Sequence, residues 1–504
     1  MKPTTELFDL IKSLSRSEKR YFTLGASVQK GNKNYLKLFN AIDSQKSYDE
    51  EVIKKKYSKE RFVSNLTFTK NYLYRLIFRS LNSYYNERSI DTKMNNLLNK
   101  CRLLYGKALF SQYFKSVQTG KEMAAKYEMF SYMLEFLELE RQLTRKEEVG
   151  KKSMDDIYDE EIKIIEEIRI INSYKRAISK LFRINWLNGT VRSSKEDEHI
   201  DQVLSEELFG RKKLPSTLIA RERYYFALYL GHELKGNAGT SYEYNKKRSS
   251  LISVNKNVFQ KFIFDNYEES SLTLISSAAF AGKFNEAKKL FEKYDKLFSK
   301  KGSVDLDIMI TYYSYNLLRM IHQSSNLFDE GMLTRFEKFL LNYKGKLNID
   351  TYNYAFYNIA RYFFIKENYE EALRVINILF ESRLLKHTPR IEPYTRLLNI
   401  LIHFEIGNKK LLSHLISATA KYLKNKNKLF KTEKAVLHYL KKIIAKNDSE
   451  NELKNFTALR KELQVIMKDK YERNIIIYFN YPEWLAKKTK LKLNHNERTL
   501  VIEK

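Results

Sequence analysis

Residues 359–380 read IARYFFIKENYEEALRVINILF, and their spacing decides the fold. Phe356, Ile359, Ala360 and Phe363 recur at helical intervals. After a polar break at Lys366-Glu-Asn, Ala372, Ile376 and Leu379 do so again. The stretch is therefore two amphipathic helices joined by a short turn. The same layout recurs on both sides. It is present in YYFALYLGHELKGNAGTSYEYNKKRSSLI (224–252), LTLISSAAFAGKFNEAKKLFEKYDKLF (272–298), YSYNLLRMIHQSSNLFDEGMLTRFEKFLLNY (313–343) and LLNILIHFEIGNKKLLSHLISATAKYL (397–423). Aligned on the second helix of each pair, Tyr244, Ala287, Ala372 and Leu412 mark equivalent points, separated by 43, 85 and 40 residues. Since 85 is two units, the repeat is about 42 residues, and repetition at that scale is the mark of a stacked array.

These pairs resemble tetratricopeptide repeats. Small residues in that family let paired helices approach closely, and an aromatic ahead of the second helix fills the gap. Ala360, Tyr369 and Ala372 match best, and Gly282, Phe284, Ala287 and Phe291 match in an earlier unit. The period is longer than usual for the family, and its early Trp, first-helix Gly and closing Pro are missing. HEAT-like pairs fit the period nearly as well. The resemblance implies an all-α solenoid whose concave face binds a peptide or protein, because no single pair can bury its apolar face alone.

Composition agrees with an all-helical chain. Gly (15) and Pro (5) are few among 504 residues, so the helix breakers that populate hairpins and phosphate loops are scarce. One cysteine, Cys101, excludes an internal disulfide and a Cys-based zinc site. No run approaches the ~18–20 apolar residues that cross a bilayer, and the N-terminus lacks the apolar core of a signal peptide. A cytoplasmic protein without membrane insertion is expected.

The expected organisation is a basic helical unit at 1–90, long amphipathic helices at 91–200, helix-pair repeats at 201–425 and basic helices at 426–504. The loop NGTVRSSKEDEH is the clearest internal boundary. Net charge is +30, with +9 in residues 1–90 and +11 in 421–504. Charge concentrated at the ends suggests a polyanion such as DNA, RNA or the ribosome. The abundance of Lys, Asn, Ile and Tyr would also follow from an AT-rich genome, which leaves solvated lysine faces as the alternative.

Ser15-Arg-Ser-Glu18 is a capping box, and either Ser47 or Asp49 caps a short helix before ERFVSNLTFTKNYLYRLIFRSLNSYY. That last helix is the candidate nucleic-acid contact. Lys70, Tyr74, Arg75 and Arg79 cluster on one side of it, with donors for phosphates and a ring for stacking. Its place after several short helices is similar to a helix-turn-helix layout, although a plain helical cap to the array accounts for it too.

Nothing marks a catalytic centre. The eight histidines show no metal-binding i,i+4 pair, although His403 and His414 are placed to face each other across one helix pair. GxSxG, Walker A and GxGxxG are missing. Cys101 reads as a buried structural thiol. Asp155–Asp156 and Glu160–Glu161 read as an exposed acidic face. No cofactor or metal is implied. The leading expectation is a non-enzymatic scaffold with a peptide-binding groove. The alternatives are a regulator with an N-terminal DNA-binding unit and a sensing array, and an enzyme of unrecognised class.

Overall fold

The computed structural model describes residues 5–28, 34–86, 89–144, 152–205, 209–210, 213–259, 266–298, 306–323, 330–381, 385–446 and 448–491. The turn expected in the third helix pair (324–329) and His495 lie outside these. Every regular element among the described residues is a helix. The chain divides into two compact units, with the split at Ile164/Ile165. That point lies inside the continuous helix Met154–Asn188. The NGTVRSSKEDEH stretch (188–199), by contrast, belongs to the second unit, where Val191 and Arg192 are buried and Ser193 caps the helix Ser194–Leu204 that takes up its second half.

In the first unit the capping box forms as its residues dictate. Ser15 N–H donates to Glu18 Oε2 at 2.6 Å, and Glu18 N–H donates to Ser15 Oγ at 3.3 Å. Asp49, not Ser47, caps Glu50–Lys56, accepting from the Glu51 and Val52 amides. The long helix expected from residue 60 is broken into Arg61–Ser64 and Leu66–Asn86. Asn65 sits at the break, its Oδ1 accepting from Phe68 N–H. A short amide side chain that bonds the following backbone competes with helix continuation. Leu73 and Ile77 are fully buried against Ile11, Leu38 and Ile42.

Three further helices, Ile90–Gly106, Phe110–Lys126 and Phe130–Thr144, pack in sequence around Cys101, Tyr113 and Phe136. A Cβ on Gly120 would collide with the Phe136 ring, so the absence of one permits this approach. Burial pushes the Cys101 thiol up to about 11, which leaves it protonated and inert.

In the second unit each helix packs on the next through Leu218–Leu234, Ala238–Val254, Asn266–Phe280 and Phe284–Phe298. The same holds along Ile349–Ile365, Tyr369–Glu381, Glu392–Ile406, Lys409–Asn425, Lys431–Ala445 and Ser449–Ile466. Successive first helices also touch, Asn266–Phe280 meeting Leu306–Gln323, which meets Ile349–Ile365. One turn chemistry makes the hairpins. Gly236, Gly282, Glu367 and Gly407 take left-handed φ just past their first helices. The next residue's amide then reaches back to the carbonyls of His232, Ala278, Phe363 and His403 respectively. This six-residue return satisfies carbonyls that the helix end leaves unpaired.

The fourth residue of each second helix faces inward. These residues are Ser241, Ala287, Leu333, Ala372 and Leu412, all buried. In the first pair the inward position is thus Ser241, three residues before the Tyr244 of the sequence alignment. The Ser241 hydroxyl donates to the Tyr229 carbonyl at 3.1 Å. Ala360 is fully buried, Phe291 partly so, and Tyr369 sets its ring 5.3 Å from that of Phe364.

Candidate functional site

The first-helix side of the second unit holds a segment of the chain itself. After Ser449–Ile466 the chain continues through Lys470–Arg473 and a 3-10 turn at Asn474–Ile477 to the last helix, Tyr481–Thr489. Asn480 caps that helix by accepting from Glu483 N–H, and Pro482 lies in its first turn, where the missing N–H has no intrahelical partner to lose. The irregular stretch leaves main-chain carbonyls that its own helices do not satisfy, and side chains of the array satisfy them instead. Tyr357 Oη donates to the Tyr478 carbonyl at 3.0 Å, and Arg361 donates to the Ile477 carbonyl at 3.1 Å.

Tyr478 is the anchor. Its ring stacks on Tyr394, centroids 3.6 Å apart and planes 12° from parallel. Its hydroxyl accepts from Thr190 N–H at 3.0 Å. Gly189 has φ +70°, and a Cβ there would collide with that hydroxyl. Gly236 serves Asn474 likewise, and Asn474 Nδ2 donates to the Val191 carbonyl at 2.9 Å.

A buried ionic cluster clamps the start of the segment. Arg192 holds Glu433 through two bonds of 2.9 and 3.2 Å and Glu472 at 3.1 Å. Glu472 also accepts from the amides of Lys431 and Thr432, placing a carboxylate on the N-terminus of Lys431–Ala445. Burial disfavours the Arg192 charge, but Glu433, Tyr394 and Glu472 more than offset this and its pKa rises. Burial pushes the Glu433 carboxyl up, and Arg192 offsets that only in part. One guanidinium here serves two carboxylates, and the Lys431 and Thr432 amides take up part of the second, so the cluster fastens the start of the segment to the fold.

Beside the segment the described residues enclose two cavities of note. One of about 100 Å³ is walled by Glu233, Tyr354, Arg390 and Tyr478. Burial pushes the half-buried Glu233 carboxyl up, with Tyr229 and Arg390 acting against it. Arg390 is held by Asp350 and by Asn185. The other, of about 280 Å³, lies among Phe280, Phe364, Phe479, Trp484, Arg361 and Lys487. Of these residues the sequence reading offers only Lys487, which with Lys441, Lys442 and Lys488 is a fallback candidate for polyanion contact. The signal it passed over was the cluster of aromatics in IIIYFNYPEW (475–484) after the last long helix.

The proposed nucleic-acid residues divide. Tyr74, Arg75 and Arg79 are exposed on Leu66–Asn86, together with Phe78, whose ring packs 4.9 Å from Tyr74. Lys70 does not join them. Its ammonium is paired with Glu50 at 2.7 Å and only 15% of the side chain is exposed. Of the C-terminal lysines, Lys441 and Lys442 are exposed. Lys487 and Lys488 pair with Glu367 and Glu405.

The acidic pairs also divide. Asp155 and Asp156 are exposed, whereas Glu160 holds Lys121 and Lys152, and Glu161 holds Arg141. His403 and His414 do not face each other: His403 is buried with Nδ1 on Asn408 at 3.1 Å, and His414 is exposed. No group of three His, Cys, Asp or Glu converges as a metal site among the described residues, and none of their helices is long and apolar enough to cross a membrane. Comparison with family models, with curated proteins and with solved structures finds no match.

Proposed function

We propose that this chain is a non-enzymatic interaction protein, a stack of tetratricopeptide-like helix pairs whose shared first-helix face binds a peptide or protein partner. The observation that carries this reading is how that face treats residues 474–480. Tyr357 and Arg361 bond main-chain carbonyls while Tyr394 stacks on a side chain. Side-chain donors on backbone carbonyls, with an aromatic platform beside them, are what recognition of a non-helical polypeptide needs. The test places a photo-crosslinking amino acid at Phe284, on the wall of the larger cavity, and irradiates cells. A partner polypeptide joined at that position, in an adduct that survives nuclease, is the expected product. Crosslinks confined to residues 470–490 of the same chain would overturn the reading.

A second reading keeps the basic ends as contacts for DNA, RNA or the ribosome, in the simplest case a regulator whose first unit binds DNA. Arg75 and Arg79 interleaved with Tyr74 and Phe78 on one exposed helix favour it, since cations and stackable rings together suit nucleic acid. Titration of labelled DNA and RNA at several salt concentrations tests it.

A further inference from the structure

We infer that the 280 Å³ cavity beside the last helix is a binding site for a small monocarboxylic acid with an apolar body. The inference shares Arg361 and this cavity with the peptide-binding reading, but it rests on a charge that the described residues leave unmatched. Arg361 is 2% exposed. Its hydrogen-bond partners among the described residues are the Asn358 side chain and the Ile477 carbonyl, both on the same terminal nitrogen. Its Nε is buried with no hydrogen-bond partner, its guanidinium carbon lies 5.9 Å from the centre of the Tyr357 ring, and no carboxylate among the described residues forms an ion pair with it. Two other buried arginines of this unit do meet carboxylates, Arg192 with Glu433 and Glu472 and Arg248 with Glu222, as does the half-buried Arg390 with Asp350. A buried guanidinium without an anion is unfavourable, and a planar carboxylate is the anion its fork fits best.

The cavity that Arg361 lines supplies the rest. Its two acidic residues are already engaged. Glu367 holds Lys487 at 2.8 Å, and Glu483 accepts from Asn480 Nδ2 at 2.9 Å while its own amide donates back to Asn480. The remaining surface is mostly aromatic and aliphatic, with Phe280, Phe364 and Phe479 against Trp484. Trp484 has its indole N–H occupied by Glu405 at 2.7 Å, so its ring presents carbon to the cavity's occupant. A volume of about 280 Å³ holds roughly ten non-hydrogen atoms, at the ~30 Å³ that each water occupies in the liquid. The site thus matches an acid of about eight carbons, its head on Arg361 and its chain on the aromatic wall.

Octanoate and octanamide differ only in the charge that Arg361 would meet, and they are the probes. Trp484 reports on the wall, and exchanging the other tryptophan by Trp186→Phe isolates its fluorescence. Octanoate should change that fluorescence saturably, and octanamide should bind roughly tenfold more weakly or worse, as expected for loss of a charge-assisted bond. In Arg361→Gln the preference for the acid should vanish while apolar binding persists. Equal affinity for acid and amide, or no saturable response to octanoate, overturns the proposal. That comparison needs only the Trp186→Phe protein, so it decides the matter even if Arg361→Gln does not fold.

Discussion

The hydroxyl of Tyr357 donates to the main-chain carbonyl of Tyr478 at 3.0 Å, across 121 residues of sequence. Both residues are buried, and the bond ties the middle of the helix array to the segment lying on it. Tyr357→Phe removes the donor and keeps the ring, leaving a buried carbonyl unpaired. Such a deletion typically costs about 1–3 kcal/mol. The expected result is a lower urea midpoint together with faster proteolysis within residues 470–490. Unchanged values for both would show that the segment does not depend on this contact.

Arg192 poses a sharper version of the same test. Arg192→Met keeps the volume but leaves Glu433 and Glu472 buried together without a cation. Breaking a buried pair from one side typically costs about 3–5 kcal/mol. Replacing all three by apolar residues should recover much of that loss, because the desolvation of the charges disappears with them. Thermal denaturation of the single and triple variants compares the two. A triple variant no more stable than Arg192→Met would mean that Glu472 matters chiefly as a cap on Lys431–Ala445.

The helix pairs were legible because 3.6-residue periodicity and short polar turns are local signals. Ala287 and Ala372 were named from spacing alone, and both are fully buried. The register slipped only at Tyr244, where the inward residue is a serine that periodicity scores as polar. The inner-face contacts were not legible. Tyr357 meets Tyr478 and Arg192 meets Glu472 through separations of 121 and 280 residues, and one sequence carries no signal for such pairing. Lys70 illustrates the same limit from the other side: a lysine at the right place on a basic face proves to be spoken for by Glu50 on a neighbouring helix.

Turn chemistry offers a stabilising substitution. Ala108 holds φ +55° in the turn after Ile90–Gly106, the position that Gly236, Gly282 and Gly407 occupy in other hairpins. Left-handed geometry costs a residue with a Cβ about 1–2 kcal/mol, part of which glycine gives back in backbone entropy. Ala108 is exposed, so Ala108→Gly should stabilise the protein by about 1 kcal/mol, read from the denaturant midpoint. A loss of stability would place that turn in another conformation.

Lys428 provides a pH signature. Burial lowers its pKa to about 8 from an ordinary 10.5, and its ammonium donates to the Leu187 and Pro389 carbonyls at 2.8 and 2.9 Å. Between those two values the unfolded chain binds the proton more firmly than the folded one, so this group's contribution to stability rises with pH. The advantage of the parent over Lys428→Met should therefore widen steadily from pH 8 to pH 10. A pH-independent difference would mean that Lys428 titrates as an exposed lysine does.

If the first unit contacts nucleic acid, Arg75 and Arg79 carry it, because Lys70 is committed to Glu50. Both arginines are exposed, and charge changes at such positions usually alter stability by less than ~0.5 kcal/mol. Arg75→Glu with Arg79→Glu should leave the circular dichroism spectrum unchanged and weaken DNA or RNA binding. Each phosphate contact on duplex DNA contributes a slope of about −0.9 in log affinity against log salt, so the double variant should lose about two units of slope. Lys70→Glu serves as the contrast. It sets a second carboxylate against Glu50, so its main effect should be on stability, with little change in the salt slope. Should the arginine variant bind as the parent does, the helix is a structural cap, and the exposed pair Lys441 and Lys442 becomes the place to reverse charge next.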